Sequence, residues 1–348
     1  MPRSKQLDGL RAVAFLSVFV HHAFGAPLLW VGVDAFFVLS GFLITGILLE
    51  MKASGGPFFR PFYLRRVLRI LPPYCIAIAL SAMLFSFDWG RIWYWYAFFA
   101  ANIGDSLGRG GGGVLQPLWS LAVEEQFYLV CPLVVYLVPR RLLPRILIGA
   151  VILAPLLRIV LTLTSATHFP VYFLTPCRMD LLAAGGLLAI YRPQMEQRPA
   201  ESQRYSLYFG AGCALVFVCL TVSFASFRTS ANSILFNSVG YSLSVGFFTA
   251  VLAYLIVLKR GPVLWVLRQP EMVYLGKISY MMYLVHQIAI DLVPSSGLIA
   301  LLGTILFSAL SWKFIEEPLL GWGRRIQQRV DLTAISPDLP VRVPNLKA

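Results

Sequence analysis

The chain has 348 residues, of which 58% are hydrophobic and 13% charged. Apolar stretches long enough to cross a bilayer recur from end to end, which excludes a soluble globular domain and points to an all-α polytopic bundle of about ten transmembrane helices. The net charge of +13 does not mark a nucleic-acid partner, because the arginines and lysines fall between apolar segments, where the positive-inside rule puts them.

A first helix is expected over residues 7–29, entered from Arg3, Lys5 and Arg11, with Asp8 as its cap. The basic start and apolar run have the outline of a signal peptide. Arg11, His21 and His22 interrupt it and no small-residue cleavage site follows, so a retained anchor is expected. A second helix covers about 31–49, followed by a basic loop carrying Lys52, Arg60, Arg65, Arg66 and Arg69. A third helix runs over 70–87, with Pro72 and Pro73 in its first turn. Residues 91–103 are aromatic but too few to span, which suggests an interfacial or re-entrant piece. Gly110 to Gly113 form a linker, with no strand-to-helix context for a nucleotide loop. Helices follow over 118–138, 142–164 and 171–191, then a polar loop from Arg192 to Arg204. The last four helices cover 206–227, 234–258, 272–293 and 297–315. Residues 1–320 form one membrane domain, and 321–348 a basic, flexible cytoplasmic tail. Ten spans put both termini on the side that holds nearly every basic loop, the cytoplasmic side. The five cysteines and four histidines show no disulfide or metal spacing, and no metal site is expected.

Several ionisable residues lie within the apolar segments, where they are costly and mark function. Arg11 and His22 are eleven residues apart, about three helical turns, so they share one face. In a helix reaching residue 29, His22 lies roughly 16 Å deeper than Arg11, near mid-membrane. His21 is rotated by roughly 80° and points elsewhere. A neutral imidazole serves either as a base or within a structural hydrogen-bond network. Arg66 and Arg69 make an Arg-x-x-Arg pair on one helical face. Their guanidinium forks suit phosphate, and ordinary positive-inside charge or lipid contact is the alternative. Ser120 and Glu124 share a face at i,i+4. Glu124 either orients His22 or an acceptor, or steadies a helix N-terminus. Asp34 either holds the His22 tautomer or pairs with an arginine. Arg178 and Asp180, two positions apart, each pair elsewhere and read as structural. Ser279, Tyr283 and His286 share a stripe, His286 being a second acid/base candidate or a network residue. Ser40-Gly41-Phe42 reads as close helix packing.

The chain resembles the acyltransferase type 3 family of bacterial membrane O-acyltransferases. The resemblance is carried by Leu7-Asp8-Gly9-Leu10-Arg11-Ala12 with His22, by Gly32 to Phe42, and by Arg65-Arg66-Val67-Leu68-Arg69-Ile70-Leu71-Pro72. Leu118 to Tyr128, Leu275 to Tyr280 with His286, and Glu316-Glu317-Pro318 extend it over about residues 5–320. The resemblance implies transfer of an acyl group, most often acetyl, from cytosolic acyl-CoA to a hydroxyl of an envelope glycan or exported molecule. Acyl-CoA is then a substrate, with no permanently bound cofactor. The partners are the donor, the hydroxyl acceptor and the bilayer, and the location is the bacterial inner membrane. His22 is the expected base or acyl relay, with Arg11, Glu124 and Asp34 as catalytic partners. Arg66 and Arg69 are expected at the CoA phosphates, and His286, Tyr283 and Ser120 as a second acid/base or network set. No fused extracytoplasmic hydrolase-like domain is expected, so the membrane domain or a separate partner completes the transfer. A transporter or flippase is the rival reading, since such proteins also bury Arg, Asp and His. The absence of a repeat between the two halves counts against it.

Overall fold

The structure, a computed structural model, describes residues 4–228 and 231–325. Among these residues every regular element is a helix, as composition requires. The chain opens with α1 (Lys5–Phe24), α2 (Gly32–Ser54) and α3 (Phe59–Leu84). Two short helices, α4 (Trp89–Ala97) and α5 (Ala101–Ser106), lead into α6 (Leu118–Leu137). Next come α7 (Leu143–Thr164), the short α8 (Phe169–Phe173), α9 (Thr175–Gln197) and α10 (Pro199–Ser223). A π-turn at Leu235–Gly240 runs into α11 (Tyr241–Val257), then the short α12 (Pro262–Leu267) and α13 (Pro270–Leu292). The last helix, α14 (Gly297–Ser311), continues through a second π-turn at Trp312–Glu316 to Arg325.

Nine of the described helical stretches are long and apolar enough to cross a membrane, which makes this a multi-pass membrane protein. The tenth long helix, α13, has 23 residues, about 35 Å at ~1.5 Å per residue, and so has the length to do the same. It is more polar because it carries Glu271, Lys277, His286, Gln287 and Asp291. Residues 91–103 do not span. They form α4 and α5, of nine and six residues, and α4 buries Ile92 and Tyr96 while exposing Trp93 and Tyr94. Ten alternating long helices bring residue 325 back to the end where residue 4 begins.

Several boundaries differ from the sequence reading. Gly25 adopts the left-handed conformation at φ 66° and its N–H bonds to the His21 carbonyl, so α1 stops at Phe24, five residues short of the expected end. At 20 residues α1 is ~30 Å long, and His22 stands in its last turn, at the far end from Ser4, rather than seven residues before the end as in a helix reaching residue 29. Asp8 does not cap α1. It lies in the first turn and pairs with Arg11. The expected basic loop before residue 70 is helical, because α3 already begins at Phe59. The proline in its first turn is Pro61, whose missing N–H is one that a helix start leaves unbonded, and Pro72 and Pro73 fall inside. The expected polar loop at 192–204 is likewise helical, apart from Arg198 at the junction of α9 and α10. Its Glu, Gln and Arg residues favour helix, and Arg192–Glu196 (2.7 Å) and Arg198–Glu201 (3.7 Å) pair along it. Helix also continues through the first residues of the expected tail to Arg325, and the rest of that tail lies outside the described residues.

The bundle is held by pairwise contacts of α2 with α9, α1 with α13, α7 with α9 and α10 with α11. Small residues set the closest of these. A Cβ on Gly41 would stand 2.0 Å from the Leu182 carbonyl oxygen, and one on Gly185 2.0 Å from that of Val38. The two glycines thus let the backbones of α2 and α9 touch. Gly9 and Gly276 do the same where α1 meets the α12–α13 segment. These contacts fix the walls of the cavity described next.

Candidate active site

Helices α1, α2, α3, α6 and α13 enclose a chamber of about 90 Å³. Helical spacing decides which side chains line it. Arg66 and Arg69 come from one face of α3, three residues apart. Ser120, Glu124 and Tyr128 come from one stripe of α6, each four residues on. Arg11 enters from α1, Ser40 from α2, and Ser279 and Tyr283 from α13. Two larger cavities, of about 280 and 420 Å³, adjoin it, and Arg66 and Arg69 line all three.

Glu124 is the chamber's carboxylate. It accepts hydrogen bonds from Ser40 Oγ at 2.7 Å and from the Tyr128 hydroxyl at 3.0 Å. Arg11 Nη1 is 3.1 Å from Asp8 Oδ1. The Arg66 guanidinium sits 5.2 Å from the Tyr128 ring centre and 5.7 Å from that of Phe62, a cation–π placement that orients it. Among the described residues, Arg66 and Arg69 have no ion-pair partner. The site therefore keeps an excess of positive charge in a confined, partly apolar space, where an anion is attracted strongly.

At the other end of the chamber the Tyr283 hydroxyl is 2.7 Å from Ser120 Oγ. Next to it, His286 is fully buried, with Nδ1 2.7 Å from the Tyr283 carbonyl oxygen. A carbonyl only accepts, so Nδ1 carries the hydrogen and Nε2 of the neutral ring is left as an acceptor. That buried Nε2 has no partner. The His286 ring is 5.5 Å from the ring of Tyr283 and 5.2 Å from that of His22. His22 is exposed and does not itself line the chamber. His21 turns away and its Nδ1 donates to the Ala26 carbonyl at 2.7 Å.

The residues expected from sequence thus fall into three groups. Arg11, Arg66, Arg69, Glu124, Ser120 and Tyr283 meet in the chamber. His22 and His286 form a pair just beyond Tyr283. Asp34 joins neither group. Its carboxylate accepts from Ser244 Oγ at 2.6 Å and faces Arg178 Nη1 at 3.4 Å, rather than holding His22. Glu124 likewise bonds to Ser40 and Tyr128 and not to His22. Arg178 lies within 5.8 Å of the ring centres of Trp30, Trp119, Tyr172 and Tyr241. Asp180 pairs with Arg158 at 2.8 Å, both buried. As the two-residue spacing required, Arg178 and Asp180 pair with different partners. Arg158, a lone arginine in an apolar helix, was an overlooked signal. So were Ser40, where the packing role of Gly41 hid a hydrogen bond to Glu124, and Tyr128, the next step on the Ser120–Glu124 stripe.

A family model described as an acyltransferase domain matches residues 4–316. Among relatives, a protein of Staphylococcus aureus strain COL named as a candidate O-acetyltransferase, SACOL0978, is 28% identical over 349 residues, covering 90% of this chain and 56% of that protein. The O-acetyltransferase OatA of Staphylococcus aureus strain NCTC 8325 / PS 47 is also 28% identical, over 352 residues, with the same shares covered. The chain thus spans little more than half the length of the curated relatives it matches. No solved structure matches it. The family match takes in the chamber and every helix that lines it, and the chain belongs to this acyltransferase-domain family.

Proposed function

We propose that this protein is a membrane O-acyltransferase that moves an acetyl group from acetyl-CoA to a hydroxyl of a carbohydrate or other envelope acceptor. The observation that carries the reading is the convergence of Arg11, Arg66 and Arg69 on a chamber of about 90 Å³. Arg66 and Arg69, without an ion-pair partner among the described residues, suit the phosphates of a CoA thioester. The chamber opens at Arg66 and Arg69 onto two further cavities, so the donor's long arm has a route out of it. In this reading the membrane is the bacterial cytoplasmic membrane, and the arginine-rich end of the bundle, with residues 4 and 325, faces the cytosol. The name of OatA as an O-acetyltransferase agrees with the acyl group proposed.

The donor's thioester occupies the chamber and the acceptor hydroxyl approaches from the His22 end. His22 removes the hydroxyl proton as the oxygen bonds to the acyl carbon. The carbon–sulfur bond breaks and CoA leaves as thiolate, which takes a proton from solvent. His286, its Nδ1 fixed on the Tyr283 carbonyl, keeps a second imidazole acceptor beside His22. Tyr283 and Ser120, bonded to each other and to the Pro117 carbonyl, form a fixed polar wall of the chamber beside His286. Glu124, held by Ser40 and Tyr128, balances part of the arginine charge.

The test is release of free CoA thiol from acyl-CoA by the purified protein with an envelope glycan fraction. Acetyl-CoA is expected to be turned over. Arg69→Ala is expected to raise KM for acetyl-CoA roughly tenfold with little change in kcat, the signature of a donor-binding contact. Absence of thiol release by the wild type with any acyl-CoA would overturn the reading.

A further inference from the structure

We propose that the cavity of about 420 Å³ beside Arg66 and Arg69 seats the nucleotide end of the donor and recognises the phosphomonoester on its ribose. The inference rests on the acyl-CoA reading and adds which side of the arginine pair the triply phosphorylated end occupies. Two cavities compete for it, and they differ in how their charges are already used. In the smaller one, of about 280 Å³, the cations added to the shared pair are Arg11 and Arg192. Arg11 already faces Asp8 at 3.1 Å, and Arg192 faces Glu196 at 2.7 Å.

The larger cavity adds Arg65, Lys277 and Arg324 instead. Among the described residues none of these three is in an ion pair. Arg65 bonds only to the Pro61 carbonyl and the Met51 sulfur. Lys277 Nζ stands 5.2 Å over the ring of Trp312, which walls the cavity. Glu317, the lone carboxylate of the lining, is exposed and likewise unpaired. Unneutralised cations around a recess give the strongest pull on a dianionic phosphate. Because Arg66 and Arg69 line both this cavity and the acyl chamber, one extended ligand passes between them with its thioester inside and its nucleotide outside.

A lipid headgroup offers the same phosphate chemistry at a membrane rim, so the test separates the two sources. The full chain is placed in phosphatidylcholine nanodiscs, and binding of adenosine 3′,5′-bisphosphate is compared with that of ADP, which lacks the 3′-phosphate. The wild type is expected to bind the bisphosphate roughly tenfold tighter. Lys277→Ala and Arg324→Ala, the first half-buried and the second exposed, are expected to bring that ratio close to one while ADP binding holds. Equal binding by the wild type, or a ratio that survives in both variants, overturns the proposal. So does loss of co-purifying phosphatidylglycerol from both variants with nucleotide binding unchanged, which assigns the cavity to lipid. Acetyl-CoA turnover by the same preparation keeps the two readings apart. Discrimination without turnover sinks acyl transfer and leaves a nucleotide site, whereas turnover without discrimination sinks only this cavity's role.

Discussion

At the scale of single residues, the chamber depends on side chains that hold one another. Tyr128 does two things for it: its hydroxyl serves Glu124 and its ring supports Arg66. Tyr128→Phe removes only the first, and is expected to cost about 1 kcal/mol of stability while leaving KM for acetyl-CoA close to wild type. Tyr128→Leu removes both, and its KM is expected to rise several-fold; equal KM values for the two variants would detach Arg66 from the ring. A second residue-scale prediction concerns Asp105, outside the spanning helices. Its Oδ2 is buried without a partner, its Oδ1 lies against Gly110, and burial pushes its pKa up to about 7. The folded state thus holds a proton that the unfolded chain releases near ~3.9. This stabilisation is fully present below the unfolded value and is lost as pH rises through about 7. Tm is expected to fall between pH 5 and pH 8 in the wild type, and Asp105→Asn to flatten that slope. An identical slope in both proteins would refute the assignment. Sequence reading found Arg11, Arg66, Arg69 and Glu124 because charge in an apolar chain is conspicuous. It missed Ser40 and Tyr128 because a hydroxyl shows its role only when the partner helix is in place.

At the scale of elements, two helix ends decide where the chemistry sits. The turn at Gly25 closes α1 at Phe24 and so carries His22 to the bundle end opposite the arginines. The apolar run through residue 29 gave no sign of it, because Gly25-Ala26-Pro27 interrupts hydropathy very little. The start of α3 at Phe59 was hidden in the opposite way. Its first turns are basic and look like loop, yet helical spacing is what aligns Arg66 with Arg69. Element packing gives a further prediction. Gly185→Ala puts a Cβ 2.0 Å from the Val38 carbonyl oxygen and must push α9 off α2. Overpacking of this kind costs roughly 1–3 kcal/mol, read as a lower Tm and loss of activity. Gly149→Ala on α7, with nothing within 4 Å of the new Cβ, is expected to be neutral. Similar Tm values for both variants would contradict the close α2–α9 contact.

At the scale of the whole molecule, the all-α class was legible from hydropathy and length; of the ten expected spans, nine are long and apolar enough among the described residues, and the more polar α13 matches in length. Which helices gather around one chamber was not legible, since that follows from the glycine contacts between elements distant in sequence. The alternation of ten long helices predicts that cysteines introduced at Ser54 and Ser226 label from opposite faces of the membrane, the first only after the cytosolic face is opened; labelling from one face would remove the topology. The most direct test of the central claim is transfer of label from radiolabelled acetyl-CoA in membranes, with wild type, His22→Ala and Arg69→Ala at matched expression. The account predicts label in an envelope glycan fraction for the wild type, none for His22→Ala, and recovery of Arg69→Ala at high donor concentration. Undiminished transfer by His22→Ala would contradict the proposed role of His22, and no transfer by the wild type at any donor concentration would contradict acetyl transfer to an envelope glycan.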